Sequence, residues 1–196
     1  HHRSSAASDV YKRQVFALAF TGDYLVTGSH NRVIGVWEAI DGTYVQHIAT
    51  PAGATAIAVA PDASWVVSGH RDHVMRRWSL PDGALIDEIT GHDHGIASLS
   101  LDVGGMLLAS VDGGGSVRVR RIGEDDDLVD FVAPSTTVER VGFVPGNTPW
   151  VYTLERLGAI RFRRVDAAAG GAAAAVPTFA FALAHYEPTY FTGHDD

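Results

Sequence analysis

Hydrophobic residues in this chain come in short runs that alternate with polar turns. A representative unit runs from Val66 to Trp78 and reads VVSGHRDHVMRRW. An apolar run leads into Ser68-Gly69, a polar turn follows, and a second run ends on Trp78. Short runs bounded by Gly, Pro, Asn and Asp predict β-strands joined by tight turns. No apolar run approaches the length that a membrane-spanning helix needs.

This unit is repeated along the chain. The same pattern occurs at Leu25–Trp37 and, more loosely, at Leu108–Arg120 and Val151–Arg163. The last residues of these units are 41, 42 and 43 residues apart. A period of about 40–45 residues with four short strands is typical of one propeller blade. A β-sandwich also has evenly spaced hairpins, but it has no reason to repeat its turn chemistry in register.

Several short motifs accompany the repeats. They are Gly91-His92, Gly193-His194, the turns Pro61-Asp62 and Pro81-Asp82-Gly83, and the set Ser68, Asp72 and Trp78. On these motifs the chain, from Val15 onwards, resembles WD-repeat β-propeller sequences. The resemblance implies an all-β fold, a propeller made of four-stranded antiparallel blades. About four degenerate blades are present where the family usually has seven, so we expect an incomplete propeller and a piece of a larger protein.

The repeats also predict the domain organisation. Residues 1–14 are polar and unpatterned, and we set them aside as a non-native or disordered leader. The partial propeller then covers 15–196, with blades at about 15–49, 50–90, 91–133 and 134–192. The predicted strands are 15–20, 24–27, 33–37, 44–48, 54–60, 65–68, 74–79, 84–89, 96–101, 106–110, 116–122, 128–132, 138–144, 150–154 and 159–165, with a last outer strand somewhere in 177–191.

Composition narrows the possible functions. A chain of 196 residues, 46% of them hydrophobic, can form one sizeable domain. It has no cysteine, which excludes a disulfide framework and a thiolate metal site. A net charge of −8 argues against a broad nucleic-acid surface. We expect no membrane association and a cytoplasmic location.

The family resemblance further implies a buried hydrogen-bond network of His, Ser or Thr, Asp and Trp inside the blades. The residues at these positions are Thr27, Trp37, Ser68, Asp72, Trp78, His92, Ser110 and Thr153. Arg120 and Arg163 replace the Trp in the last two blades. Because a buried Arg needs a partner, we predict that Arg120 pairs with Asp112 and Arg163 with Glu155.

By the same resemblance, the usual partner surface is the rim formed by the loops between blades and the turns between second and third strands. The residues offered there are His30, Asn31, His70, Arg71, Asp93, His94, Asp112 and Arg156. Each of them taken singly is also explained as a solvated turn residue. The sequence therefore predicts a non-catalytic scaffold that binds a protein or peptide partner, without a cofactor and without nucleic acid.

Two alternatives come from other function classes. The clusters His70/Asp72/His73 and His92/Asp93/His94 could supply imidazole and carboxylate ligands to a metal, in a propeller enzyme or a metal-binding module. The turn Gly113-Gly114-Gly115 lacks the Lys and the helix start of a phosphate loop, and no Ser lies in a Gly-x-Ser-x-Gly setting. The chain could also be the docking part of a larger signalling protein.

Overall fold

The computed structural model describes residues 14–133, 138–146, 150–156 and 159–165. Within these ranges the chain forms only β-strands, and no helix there is long and apolar enough to cross a membrane. The strands are β1 (Val15–Phe20), β2 (Tyr24–Ser29), β3 (Val33–Glu38), β4 (Tyr44–Ala49), β5 (Ala54–Val59), β6 (Trp65–His70), β7 (Met75–Ser79), β8 (Leu85–Ile89), β9 (Ile96–Leu101), β10 (Leu107–Asp112), β11 (Ser116–Arg121), β12 (Asp127–Val132), β13 (Val138–Val144), β14 (Trp150–Glu155) and β15 (Ile160–Arg164).

These strands form four antiparallel sheets, which we call blades one to four. Blades one to three are β1–β4, β5–β8 and β9–β12, and blade four contains β13–β15 in the described part of the chain. In each blade the strands are paired in chain order, because short turns join neighbours. The predicted all-β fold with four-stranded antiparallel blades is confirmed. Residues 1–13 of the predicted leader and the predicted strand within 177–191 lie outside the described residues.

The hydrophobic core is divided into clusters between consecutive blades. Val26, Ile34 and Val36 of blade one pack against Ile57 and Val66 of blade two. A second cluster joins blades two and three, and a third joins blades three and four. Each middle blade is therefore apolar on both faces, which explains why its strands read as nearly continuous hydrophobic runs.

One position on the second strand sets how closely two blades approach. It is occupied by Gly28 in blade one and Gly69 in blade two. A Cβ at Gly28 would lie 2.8 Å from Ile57 Cδ1 of the next blade, and one at Gly69 would clash with Ile96. In blade three the position holds Val111, in one cluster with smaller valines of blade four. Glycine is needed where the next blade inserts an isoleucine.

The first strand of every blade contains a β-bulge at the same place. The pairing with the second strand skips one residue in β1, β5, β9 and β13. The residues left out of the ladder are Phe16, Thr55, Ala97 and Glu139. All four line a groove of about 460 Å³ that the first strands form together. A bulge bends the strand and re-aims a side chain, here towards the groove.

The second strands are longer than predicted, and this corrects two site residues. Strands β6 and β10 continue through His70 and Asp112, whereas the sequence predicted their ends at Ser68 and Ser110. His70 and Asp112 are therefore buried at the ends of strands. The prediction that these two residues lie on an exposed rim was wrong.

The face of blade one that points away from blade two is apolar and open in the described residues. Leu18 is 62% exposed, whereas Ile57, at the matching position of blade two, is only 8% exposed. Phe16 and Phe20 on the same strand are also exposed. Phe16 and Leu18 of this face also line the groove.

We expect Gly69→Ala to lower the free energy of unfolding by about 1–3 kcal/mol, because the new methyl group overpacks the contact with Ile96. Chemical denaturation of the full chain measures this. The matched control is Gly22→Ala, whose Cβ would meet no atom within 4 Å and should change stability by less than about 0.5 kcal/mol. Equal effects of the two substitutions would refute the role given to Gly69.

Candidate partner-binding rim

One end of the blades carries the turns between second and third strands and the loops that enter the first strands. We call this end the upper rim, formed by residues 30–32, 50–53, 71–73, 91–95 and 113–115 together with Arg156. Its backbone is tied together. The amide of Arg71 donates to the carbonyl of Gly53 at 3.3 Å, and Gly113 donates to Gly95 at 2.9 Å.

The loop glycines Gly53 and Gly95 also pack against the preceding blade. A Cβ on Gly53 would lie 3.0 Å from the carbonyl oxygen of His30, and one on Gly95 would lie 3.4 Å from the Cα of Arg71. Each loop thus lies between the turn of its own blade and the turn of the blade before. The rim is continuous across blades one to three.

In blade two a buried chain of hydrogen bonds holds the loop to the sheet. Trp78 Nε1 donates to Ser68 Oγ at 2.8 Å, and Ser68 Oγ lies 2.8 Å from His70 Nε2. His70 Nδ1 lies 2.9 Å from the carbonyl of Ala52 in the loop. Because a carbonyl only accepts, Nδ1 carries the proton and Nε2 accepts from the serine. His70, predicted to be on the rim, is instead the link that fixes the loop.

Blade three achieves the same link with a histidine from the loop itself. His92 Nε2 lies 2.7 Å from Ser110 Oγ, and His92 Nδ1 donates to Asp112 at 3.2 Å. Asp112 also accepts from the amides of Gly114 and Ser116. This Ser–His–Asp order resembles a hydrolase triad, but Ser110 is only 1% exposed. The arrangement ties strand, loop and turn together, and a substrate has no access to it.

The remaining predicted network residues differ in their surroundings. In blade one Trp37 Nε1 donates to Thr27 Oγ1 at 3.1 Å, and in blade four Thr153 is buried. Asp72 is not part of the buried network. It lies in an exposed turn and pairs with Arg76 at 2.9 Å, so its predicted role was wrong. Its position, two residues beyond the end of β6, is too far out to reach Ser68.

The two arginines that replace tryptophan do not have the predicted partners. Arg120 NH2 lies 2.7 Å from Asp127 Oδ1, and Arg120 also donates to the carbonyl of Thr90 at 3.2 Å. Strand register explains this, because Arg120 stands opposite Asp127 in β12. Arg163 lies over the ring of Phe131, 3.9 Å from its centroid. Glu155 accepts from Arg161 at 2.5 Å.

Burial controls the protonation of the network. Burial lowers the pKa of His70 and outweighs the hydrogen bond to Ala52, and burial likewise lowers the pKa of His92 against the opposing pull of Asp112. Burial of Asp112 disfavours its charge, but the donors Ser116, His92 and Gly114 together lower its pKa. At neutral pH the structure therefore has neutral histidines beside a charged aspartate.

The two buried histidines of the predicted metal clusters, His70 and His92, have no ring nitrogen left to bind a metal ion. Both ring nitrogens of His70 and of His92 are already hydrogen-bonded within the protein. His73, Asp93 and His94 are exposed. In the described ranges no group of three or more His, Asp or Glu side chains is arranged to hold a metal ion.

Six of the eight predicted rim residues lie on the upper rim and are exposed: His30, Asn31, Arg71, Asp93, His94 and Arg156. Sequence reasoning missed two further exposed cations. Arg32 ends the turn that contains His30, with φ of 65°, and Arg140 lines the groove beside the bulge of β13. Arg32 could have been found from its neighbours. Arg140 could not, because bulges leave no mark in the hydrophobic pattern.

Comparisons with known proteins show what this chain is similar to. The family described as WD domain, G-beta repeat matches residues 42–79. The solved WD40 repeats of RRP9 superpose with a TM-score of 0.68 at 18% identity, covering 76% of this chain and 47% of that one. The chain is thus similar to WD-repeat β-propeller proteins, in sequence over residues 42–79 and in fold over its described blades.

Two curated relatives are similar to this chain over part of its length. Autophagy-related protein 16 of Arabidopsis thaliana is 29% identical over 86 residues, which are 44% of this chain and 17% of the relative. Nuclear distribution protein nudF of Aspergillus niger is 26% identical over 136 residues, 58% of this chain and 30% of the relative. The chain thus spans less than a third of either relative. WD-repeat propellers are generally protein-interaction scaffolds without catalytic activity.

The buried histidines should make stability fall in mild acid. Their pKa values are lowered on folding, so the unfolded chain takes up protons first as pH drops below about 6.5. We expect the free energy of unfolding to decrease between pH 7 and pH 5, above the range in which Asp112 titrates. In His70→Gln this decrease should be smaller. The exposed control His73→Asn should keep the wild-type slope, and an unchanged slope in His70→Gln would contradict the assignment.

A double-mutant cycle tests the corrected arginine pairing. Arg120→Met and Asp127→Asn should couple by about 0.5–3 kcal/mol in unfolding experiments, because the two side chains form a buried ion pair. The cycle of Arg120→Met with Asp112→Asn should show a coupling near zero. Coupling with Asp112 instead of Asp127 would restore the sequence prediction.

Proposed function

We propose that this chain is a non-catalytic scaffold that presents its upper rim to a protein or peptide partner. The observation that supports the proposal most is that the rim has two kinds of side chain, buried ones that hold the loops and exposed ones beside them. Buried groups such as His70 and His92 fix the loops, while neighbours such as Arg71 and Asp93 are exposed. Turns held rigidly with free polar side chains suit recognition, because little side-chain or loop ordering remains to be done on binding.

A catalytic role has no supporting observation in the described residues. Ser110, His92 and Asp112 are buried, and their side chains already hydrogen-bond to one another within the blade. In each of the two predicted metal-binding clusters, one histidine is buried and hydrogen-bonded within the protein, and other members lie in exposed turns. The scaffold function uses the same residues without these difficulties.

The test is affinity capture from cells of the source organism, followed by quantitative mass spectrometry. The rim variant carries Arg71→Ala, His94→Ala and Arg156→Ala. The control carries Asp82→Ala, Glu124→Ala and Asp125→Ala, which are exposed turn residues at the opposite end of the blades. We expect at least one captured protein to fall about tenfold with the rim variant and to be retained by the control. Capture that depends on the control residues, or on neither set, would contradict the proposal.

A further inference from the structure

The upper rim has a charge that differs from that of the whole molecule. Arg32 and Arg71 are exposed there, Arg140 is exposed in the adjoining groove, and no described residue forms an ion pair with these three arginines. Arg156 lies 3.5 Å from Glu139. The carboxylates at this end are the exposed Asp93 and the buried Asp112, which accepts hydrogen bonds from the rim turn, while Asp72 is paired with Arg76. Among the exposed charges at this end that have no ion-pair partner in the described residues, arginines therefore outnumber carboxylates, although the net charge of the chain is −8.

The opposite end of the blades, which we call the lower rim, holds much of the negative charge. Its turns join first to second strands and third to fourth strands. The acidic residues in or next to these turns are Asp23, Glu38, Asp41, Asp62, Asp82, Asp102, Glu124, Asp125 and Asp126. The cations at this end include Arg121, which lies 4.0 Å from Glu124, and the exposed Arg164 at the end of β15. The molecule is polarised from one rim to the other.

The groove adds an apolar element next to the exposed arginines. Val15, Phe16 and Leu18 line one side of it, and Glu139 and Arg140 line the other. Phe16 is about half exposed, and its ring centroid lies 5.5 Å from that of His30 on the rim. A ligand that contacts the rim can therefore place an apolar group against Phe16 without crossing a polar barrier.

We propose that the upper rim binds an acidic, extended peptide segment that places an apolar side chain in the groove against Phe16. This rests on the proposed scaffold function and names the chemistry of its partner. Carboxylates of the segment meet Arg32, Arg71 and Arg140, whose guanidinium groups offer planar forks of donors. The apolar side chain covers surface that is otherwise exposed to water.

Peptide suits this surface better than a nucleic-acid strand. A phosphate backbone carries a charge at every step, and Asp93 and Glu139 would repel it between the arginines. A peptide can space its carboxylates to match three separated cations and leave neutral residues beside the rim carboxylates. The opposite rim, rich in carboxylates, repels the same segment and directs it to the upper rim.

The experiment is a selection of random 12-residue peptides, displayed on their encoding mRNA, against the immobilised full chain. We expect the enriched peptides to be net negative and to contain a large apolar residue. A labelled enriched peptide should bind at least tenfold more weakly to Arg71→Glu and to Arg140→Glu, and Arg71→Gln should fall between these and the wild type. Binding should weaken as salt rises from 50 to 500 mM, because rim charges are screened.

Matched controls separate the site from net charge. Arg121→Glu changes the total charge as Arg71→Glu does, but on the lower rim, and should leave affinity unchanged within twofold. Phe16→Ser should weaken binding, whereas Val103→Ser, at an exposed apolar residue on the lower rim, should not. Circular dichroism verifies that each variant is folded.

Three outcomes would overturn the proposal. They are enrichment of neutral or basic peptides or of none, an equal loss with Arg121→Glu, and displacement of the peptide by a 12-nucleotide single-stranded RNA that binds more tightly. Failure here is distinguishable from failure of the scaffold function. A cellular partner lost from the rim variant of the capture experiment would leave the scaffold function standing and remove only the acidic-peptide chemistry.

Discussion

The structure depends on how closely one blade can approach the next. Because each blade buries its apolar faces only against its neighbours, stability is the sum of contacts between successive sheets. Gly28 and Gly69 admit Ile57 and Ile96 from the following blade, and Val111 meets smaller residues instead. At each contact a small residue on one blade faces a larger side chain on the next, or two side chains of medium size face each other. That spacing also sets the distance between first strands, and so the width of the groove and the separation of the rim turns.

The buried histidines fix the loops that connect the blades. In blade two the histidine belongs to the strand and reaches out to Ala52 of the loop. In blade three the histidine belongs to the loop and reaches in to Ser110 and Asp112 of the strand. The two blades therefore use opposite sequence positions for one mechanical result. This explains why repeats that look degenerate in sequence can still hold their rim turns alike.

Much of the fold could be predicted from sequence because turn residues and apolar runs are local signals. Pairs such as Pro61-Asp62 and Asp82-Gly83 mark where strands end, and the repeat of Trp37 and Trp78 gives the period. The burial of individual side chains was harder to predict. His70 follows Ser68-Gly69 and precedes a polar turn, so its pattern favours exposure, yet the strand continues through it.

Partners were the least predictable feature. Asp112 was expected to meet Arg120 because both are substitutions in one blade, but the register places Asp127 across from Arg120. Strand register depends on bulges and turns outside the local pattern. For the same reason Arg140 could not be assigned to the groove from the sequence.

The bulge in each first strand has a consequence for how such a scaffold changes over time. The bulged residue lies outside the hydrogen-bond ladder, so its side chain can be exchanged without altering the pairing of the sheet. In this chain the four positions hold Phe16, Thr55, Ala97 and Glu139, which are aromatic, hydroxylated, aliphatic and acidic. Mutation at Phe16, Ala97 and Glu139 can therefore change the lining of the groove while the pairing of the sheet is kept. Thr55 is more constrained, because its hydroxyl lies 2.6 Å from the carbonyl oxygen of Ile96 in the next blade. New binding preferences can thus evolve on an unchanged backbone.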